Sequence, residues 1–182
     1  ENKNNYKLAK ELTEDDKEYY FYGQRFKLEF VDNVDKFNNI IEKDDAYKQF
    51  ENIAVNEYDK IFLILANTKK WIKDFSKFEQ DVFFDKIKFY FNKEINELKE
   101  YNLPVSKIKI KTLKSAWGVC HTVKKEITLN RRLVNHKEDC MRYVVIHELT
   151  HLVHANHSKE FYSVIEKVMP EYKKIRKELN YD

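Results

Sequence analysis

A chain of 182 residues with 42% hydrophobic and 15% aromatic side chains can bury a sizeable core, dominated by its 13 Phe and 12 Tyr. The net charge of +3 says little about partners, while Cys120 and Cys140 are too few and too far apart for a disulfide scaffold or a Cys-x-x-Cys metal knuckle. No run approaches the length of a membrane span, and the polar start Glu1-Asn2-Lys3-Asn4-Asn5 is no secretory signal, so a trimmed start and a cytoplasmic home are expected.

Taken in chain order, residues 1–17 are polar and read as helical or loose. Tyr19-Tyr20-Phe21-Tyr22 and Phe26-Lys27-Leu28-Glu29-Phe30 suggest a hairpin around the turn-like Gly23-Gln24. Residues 34–58 are acidic and polar and show no clear period. Lys60 to Ala66 is a short apolar run suited to a buried strand. From Thr68, a candidate cap, Trp71, Phe75, Phe78, Val82, Ile87, Phe91, Ile95 and Leu98 recur every three to five residues, which predicts one long or two successive helices ending before Pro104.

Lys107-Ile108-Lys109-Ile110-Lys111 alternates with period two and predicts a strand with lysines on one face. Residues 105–132 carry eight basic side chains against the single acid Glu126, so Lys107, Lys109, Lys111, Arg131 and Arg132 are candidate anion-binding residues. A solvated or lysine-guarded sheet edge is the plainer explanation. Two strands around Trp117-Gly118 follow. A helix over about 140–155, capped by Asn135 with Glu138 and Asp139 in its first turn, comes next. Ser158 can cap a further helix with Phe161, Val164, Ile165 and Val168 inside, and Pro170 begins a last basic helix. With no repeats and no low-complexity linker, this predicts one α+β domain over 1–182. It would comprise a hairpin and strand region over 1–66 with a candidate mobile arm, a long helical region over 67–103, and a metal-binding core over 104–182.

The chemistry is carried by His147-Glu148-Leu149-Thr150-His151. Residues four apart on a helix share a face, so His147 and His151 present two imidazoles to one ion, and Glu148 is turned about 100° away toward a bound water. The bare motif arises by chance in roughly two chains per hundred of this composition, so its surroundings matter. A third ligand must come from His154 or His157. On a continued helix His154 would lie about 10 Å along the axis from His147, beyond reach of one ion. His157 can return if the chain reverses near Ala155-Asn156, with Asn156 tolerating the left-handed conformation. His147, His151 and His157 are therefore the expected ligands and Glu148 the catalytic acid/base. Three ligands leave an open position, the mark of a catalytic zinc, although another divalent metal could occupy such a site. His154, Trp117 and Asn156 are candidates for supporting the ligands or touching substrate.

The segments Ala116-Trp117-Gly118-Val119-Cys120, Glu126 to Leu133, Tyr143 to Leu152, Asn156-His157-Ser158 and Phe161 resemble the YgjP-like metallopeptidase family, whose members are zincin-type hydrolases distantly similar to SprT-like proteases. The resemblance runs from about Val105 to the end, with weaker support from Lys70-Trp71-Ile72. It implies a zincin-like α+β fold, a small and mostly antiparallel sheet with the HExxH helix beside it and flanking helices. It also implies one zinc ion on His147, His151 and His157, with Glu148 as acid/base. The family's usual Arg-Trp-Gly-Ser-Cys is altered here at Ala116 and Val119, and Arg131 stands where an aromatic is common, which bears on specificity and activity. The resemblance leaves two reactions open, peptide hydrolysis and hydrolysis of nucleoside triphosphate anhydrides. A nucleic-acid-associated module with a structural zinc is a third reading. A peptide or protein is the first-ranked partner, a nucleotide or nucleic acid the second, and no membrane is implied.

Overall fold

The computed structural model describes residues 6–179, an α+β chain of eight strands and five α-helices. Its chain divides into two compact units, one formed by 1–82 with 134–136 and the other by 83–133 with 137–182. Residues 1–5 of the expected arm lie outside the described residues.

In the first unit, β1 (Glu18–Phe21) and β2 (Gln24–Val31) form the expected hairpin. The turn falls one residue earlier than expected, on Tyr22 and Gly23, because both adopt positive φ (51° and 72°) and a two-residue turn of that kind matches the strand twist. The segment without an evident period folds as α1 (Val34–Lys43), β3 (Tyr47–Phe50) and β4 (Ile53–Asn56). Its signal was present but diluted by charge. Asn33 caps α1 by accepting from Lys36 N at 3.0 Å, and Phe37, Ile40 and Ile41 fall on one helical face.

The apolar run becomes β5 (Ile61–Leu65), central in a sheet ordered β1-β2-β5-β4-β3, and a strand covered on both sides needs no polar alternation. Leu63 and Leu65 pack with Phe37 of α1, while Phe62 on the opposite face meets Phe75 at 4.8 Å between ring centres. Residues 6–17 pack here too: Leu8, Ala9 and Leu12 are buried, and Ala9 N donates to the buried Glu79 carboxylate at 2.6 Å.

Helix α2 (Lys70–Glu97) is one unbroken helix, its start supported by Thr68 Oγ1 accepting from Lys70 N at 3.4 Å. The boundary between the two units falls within it, after Val82.

The second unit holds β6 (Lys107–Lys111), β7 (Gly118–His121) and β8 (Glu126–Asn130) in the order β6-β8-β7. The expected small, mostly antiparallel sheet is built as two among the described residues, with four antiparallel ladders and two parallel ones. Helices α3 (Glu138–Thr150), α4 (Lys159–Val168) and α5 (Tyr172–Leu179) complete it. Buried Glu94 on α2 receives Arg142 Nε at 2.6 Å, and the same guanidinium donates to Val168 O at 3.0 Å, which ties three helices together. No helix among the described residues is long and apolar enough to cross a membrane.

Candidate metal centre

Helix α3 is buried from Cys140 to Thr150 except for Arg142, so its polar motif residues are held in an apolar setting. Asn135 does not cap it. Lys137 occupies that position without a side-chain bond, and Asn135 instead sits in a short 3-10 turn, donating to Lys7 O and Tyr20 O at 3.1 and 2.6 Å. The helix also stops at Thr150, short of the expected end near 155. Leu152 N bonds Leu149 O, and Val153 N and His154 N both bond Thr150 O, so the last turn tightens toward three-residue spacing while one four-residue bond is kept. Residues 151–158 then carry the chain to Ser158, whose Oγ accepts from Phe161 N at 3.4 Å and starts α4. No residue between 151 and 158 has positive φ, so the reversal is made without the left-handed Asn156 expected from sequence.

This path brings the three expected histidines together. The Nε2 atoms of His147, His151 and His157 stand 3.2, 3.1 and 3.2 Å apart in the pairs 147–151, 147–157 and 151–157. Phe161, fully buried, lies 4.9, 4.7 and 4.8 Å from the three imidazole centres, so one ring backs all three. His151 Nδ1 faces the carbonyl oxygen of His154 at 3.3 Å; a carbonyl only accepts, so that nitrogen carries the proton and Nε2 keeps its lone pair. His154 thus contributes a backbone atom here. Tyr143 Oη, buried, lies 3.5 Å from His147 Nδ1 and orients that ring.

Lone pairs converging at such distances repel unless a cation sits among them. Zinc ligands at about 2.0–2.1 Å in tetrahedral array stand roughly 3.3–3.4 Å apart, so three imidazole nitrogens at this spacing fit a divalent ion. Among the described residues this is the one group of that kind. The electrostatics agree. Burial, reinforced by His151, His157 and Arg176, brings the His147 pKa down to about 2, and burial followed by His157 lowers that of His151. Both rings therefore stay neutral at physiological pH, as metal ligands must.

Around the triad is a cleft of about 510 Å³ lined by residues 115–120, Thr122, His147, Glu148, His151, Ala155 and His157. Glu148 is 2% exposed and lies against Gly118 of β7. Trp117 lines the cleft and donates from Nε1 to Leu179 O at 3.0 Å, whereas Asn156 is exposed and absent from the lining. Burial, with Glu148 adding to it, pushes the Cys120 thiol up to about 11, so it lines the cleft as a thiol and not a thiolate. Lys107 and Lys111 are exposed on the edge strand β6, Lys109 pairs with Glu126, and Arg131 and Arg132 begin the 3-10 turn after β8. None of these five lines the cleft.

Two supports had no reading from sequence. Asn130 closes the approach to β7: its side-chain amide donates to Leu113 O and Ala116 O at 3.1 and 2.8 Å, and its backbone N to Trp117 O at 2.8 Å. Tyr143 stands one turn before His147, a spacing that offered a signal.

A model of the YgjP-like metallopeptidase domain matches residues 1–182, the whole chain and not only the part beyond Val105. The chain belongs to the YgjP-like family. As such it is a metal-dependent peptidase by family. Among solved structures, the metallopeptidase zymogen abylysin of Pyrococcus abyssi is similar at 32% identity, over 51% of this chain and 90% of that chain, with a TM-score of 0.47. No curated protein matches the chain.

Proposed function

We propose that this YgjP-like chain hydrolyses peptide bonds with a single zinc ion held by His147, His151 and His157 and with Glu148 as general acid/base. The observation that carries this reading is the convergence of three Nε2 atoms within 3.2 Å of one another in a cleft that also holds Glu148. Zinc, when bound, supplies the Lewis acidity that polarises a scissile carbonyl and lowers the pKa of water toward neutrality. Glu148 takes a proton from the attacking water and returns it to the leaving amine nitrogen.

The substrate lies extended along β7. That strand is at the edge of its sheet, and Gly118, Val119 and Cys120 line the cleft, so a peptide can pair with the unused backbone edge. A phosphoanhydride would need cationic contacts, and among the described residues no Lys or Arg lines the cleft, which favours the peptide over a nucleotide. The two free thiols support a reducing cytoplasm as its compartment.

The deciding experiment compares wild type with Glu148→Gln on unfolded casein and on a panel of nucleoside triphosphates. The wild-type protein should carry one equivalent of zinc and cleave casein. Glu148→Gln should keep the zinc and lose at least 100-fold in kcat. Activity confined to the nucleotides, or an undiminished Glu148→Gln, would overturn the proposal.

A further inference from the structure

Gly118 opens β7 with its Cα against the side chain proposed as the base. A Cβ built there would lie 2.5 Å from Glu148 Oε1, 2.6 Å from Cγ and 2.8 Å from Cδ. Bonded geometry aside, such approaches do not occur. Three atoms of the side chain are involved, so rotating the carboxylate alone gives no relief. Its upper torsions would have to change.

Neither partner can retreat. Gly118 is paired with Leu129 in the β8 ladder, Leu129 is fully buried, and Asn130 N holds Trp117 O at 2.8 Å. Opposite, Glu148 is 2% exposed on a helix whose neighbours Val145, Ile146 and Leu149 are fully buried. The backbone gives no reason of its own for glycine, because Gly118 is not among the residues with positive φ, and glycine inside a strand weakens it. Space for Glu148 is the reason that remains.

We propose that Gly118 is a positioning residue: its bare Cα forms the wall that sets where the Glu148 carboxylate stands relative to the histidine triad. This rests on the assignment of Glu148 as the base and adds to it a requirement from a different element. The same strand that offers its edge to a peptide then fixes the group that moves the proton, so base and substrate share one reference frame. A base displaced by even 1 Å loses on the order of 100-fold in rate.

The test is a double-mutant cycle with Gly118→Ala, Glu148→Ala and the pair, followed by thermal unfolding of the metal-free proteins and by casein cleavage with zinc restored. Gly118→Ala should lower Tm by about 2–12 °C, the range expected of overpacking in a chain of this size. In the Glu148→Ala background the same change should leave Tm level or raise it, because the added methyl then enters vacated space. With zinc, Gly118→Ala should keep one equivalent of metal and a KM within twofold of wild type while kcat falls at least tenfold.

The proposal stands if the Tm loss of Gly118→Ala depends on the Glu148 side chain and kcat falls with KM and bound zinc kept. It falls if Gly118→Ala leaves kcat unchanged, or if its Tm loss persists undiminished without that side chain. A fully active Glu148→Gln would sink the base assignment itself, whatever the cycle shows.

Discussion

At the scale of single residues, the histidines that matter are separated by what each can offer. His157 offers a ring nitrogen to the triad, while His154 offers its carbonyl oxygen to His151 Nδ1, an atom that any residue at position 154 would supply. His157→Ala should therefore remove most of the zinc recovered with the purified chain, and His154→Ala should remove little, as read by elemental analysis. Equal losses would reassign the third ligand. Ligand spacing at 147 and 151 and the placement of Glu148 were legible because both follow from the helical period alone. The roles of Tyr143 and His154 were not, since each depends on which atom of a neighbour faces a ring nitrogen.

At the scale of elements, the site depends on where α3 stops and how α4 returns. The tightened turn after Thr150 and the Ser158 cap bring His157 back, and Phe161 on the first turn of α4 packs beneath all three imidazoles. Replacing Phe161 by Leu keeps an apolar side chain but removes the flat backing. The expected result is a drop in zinc affinity of about tenfold, measured by competition with a chromogenic chelator, together with a lowered Tm from the space left behind. Unchanged affinity would show that the loop alone orders His157. Helix caps at Asn33, Thr68 and Ser158 were readable or recoverable from sequence because they are local. The early end of α3 was not, because no glycine or proline marks it and Leu152 and Val153 continue the apolar pattern past Thr150.

At the scale of the whole molecule, metal and protons compete for the same fold. In the folded metal-free chain His147 takes a proton only near pH 2, against an ordinary value of 6.5 when unfolded. Below pH 6.5 the unfolded chain binds the extra proton, so stability rises with pH up to about 6.5 and is lost as pH falls from there toward 2. The slope from this one group is about 1.4 kcal/mol per pH unit. Metal-free protein should accordingly show a Tm that drops between pH 6.5 and pH 5, and His147→Gln should flatten that slope. Zinc at 1,000 times its Kd should restore about 4 kcal/mol at neutral pH. An acid slope identical in His147→Gln would place the titration elsewhere.

The amino-acid sequence by itself determined the spacing that sets His147, Glu148 and His151 on one helix, the principal helix and the apolar central strand, since each is a short-range pattern with a period or a fixed spacing. Only the tertiary structure decided that the strands divide into two sheets, that β7 lies at an edge beside the cleft, and that Gly118 meets Glu148 thirty positions away in the chain. Those features are long-range pairings. They are set by which buried faces fit together once the local elements exist, and no local period encodes that fit.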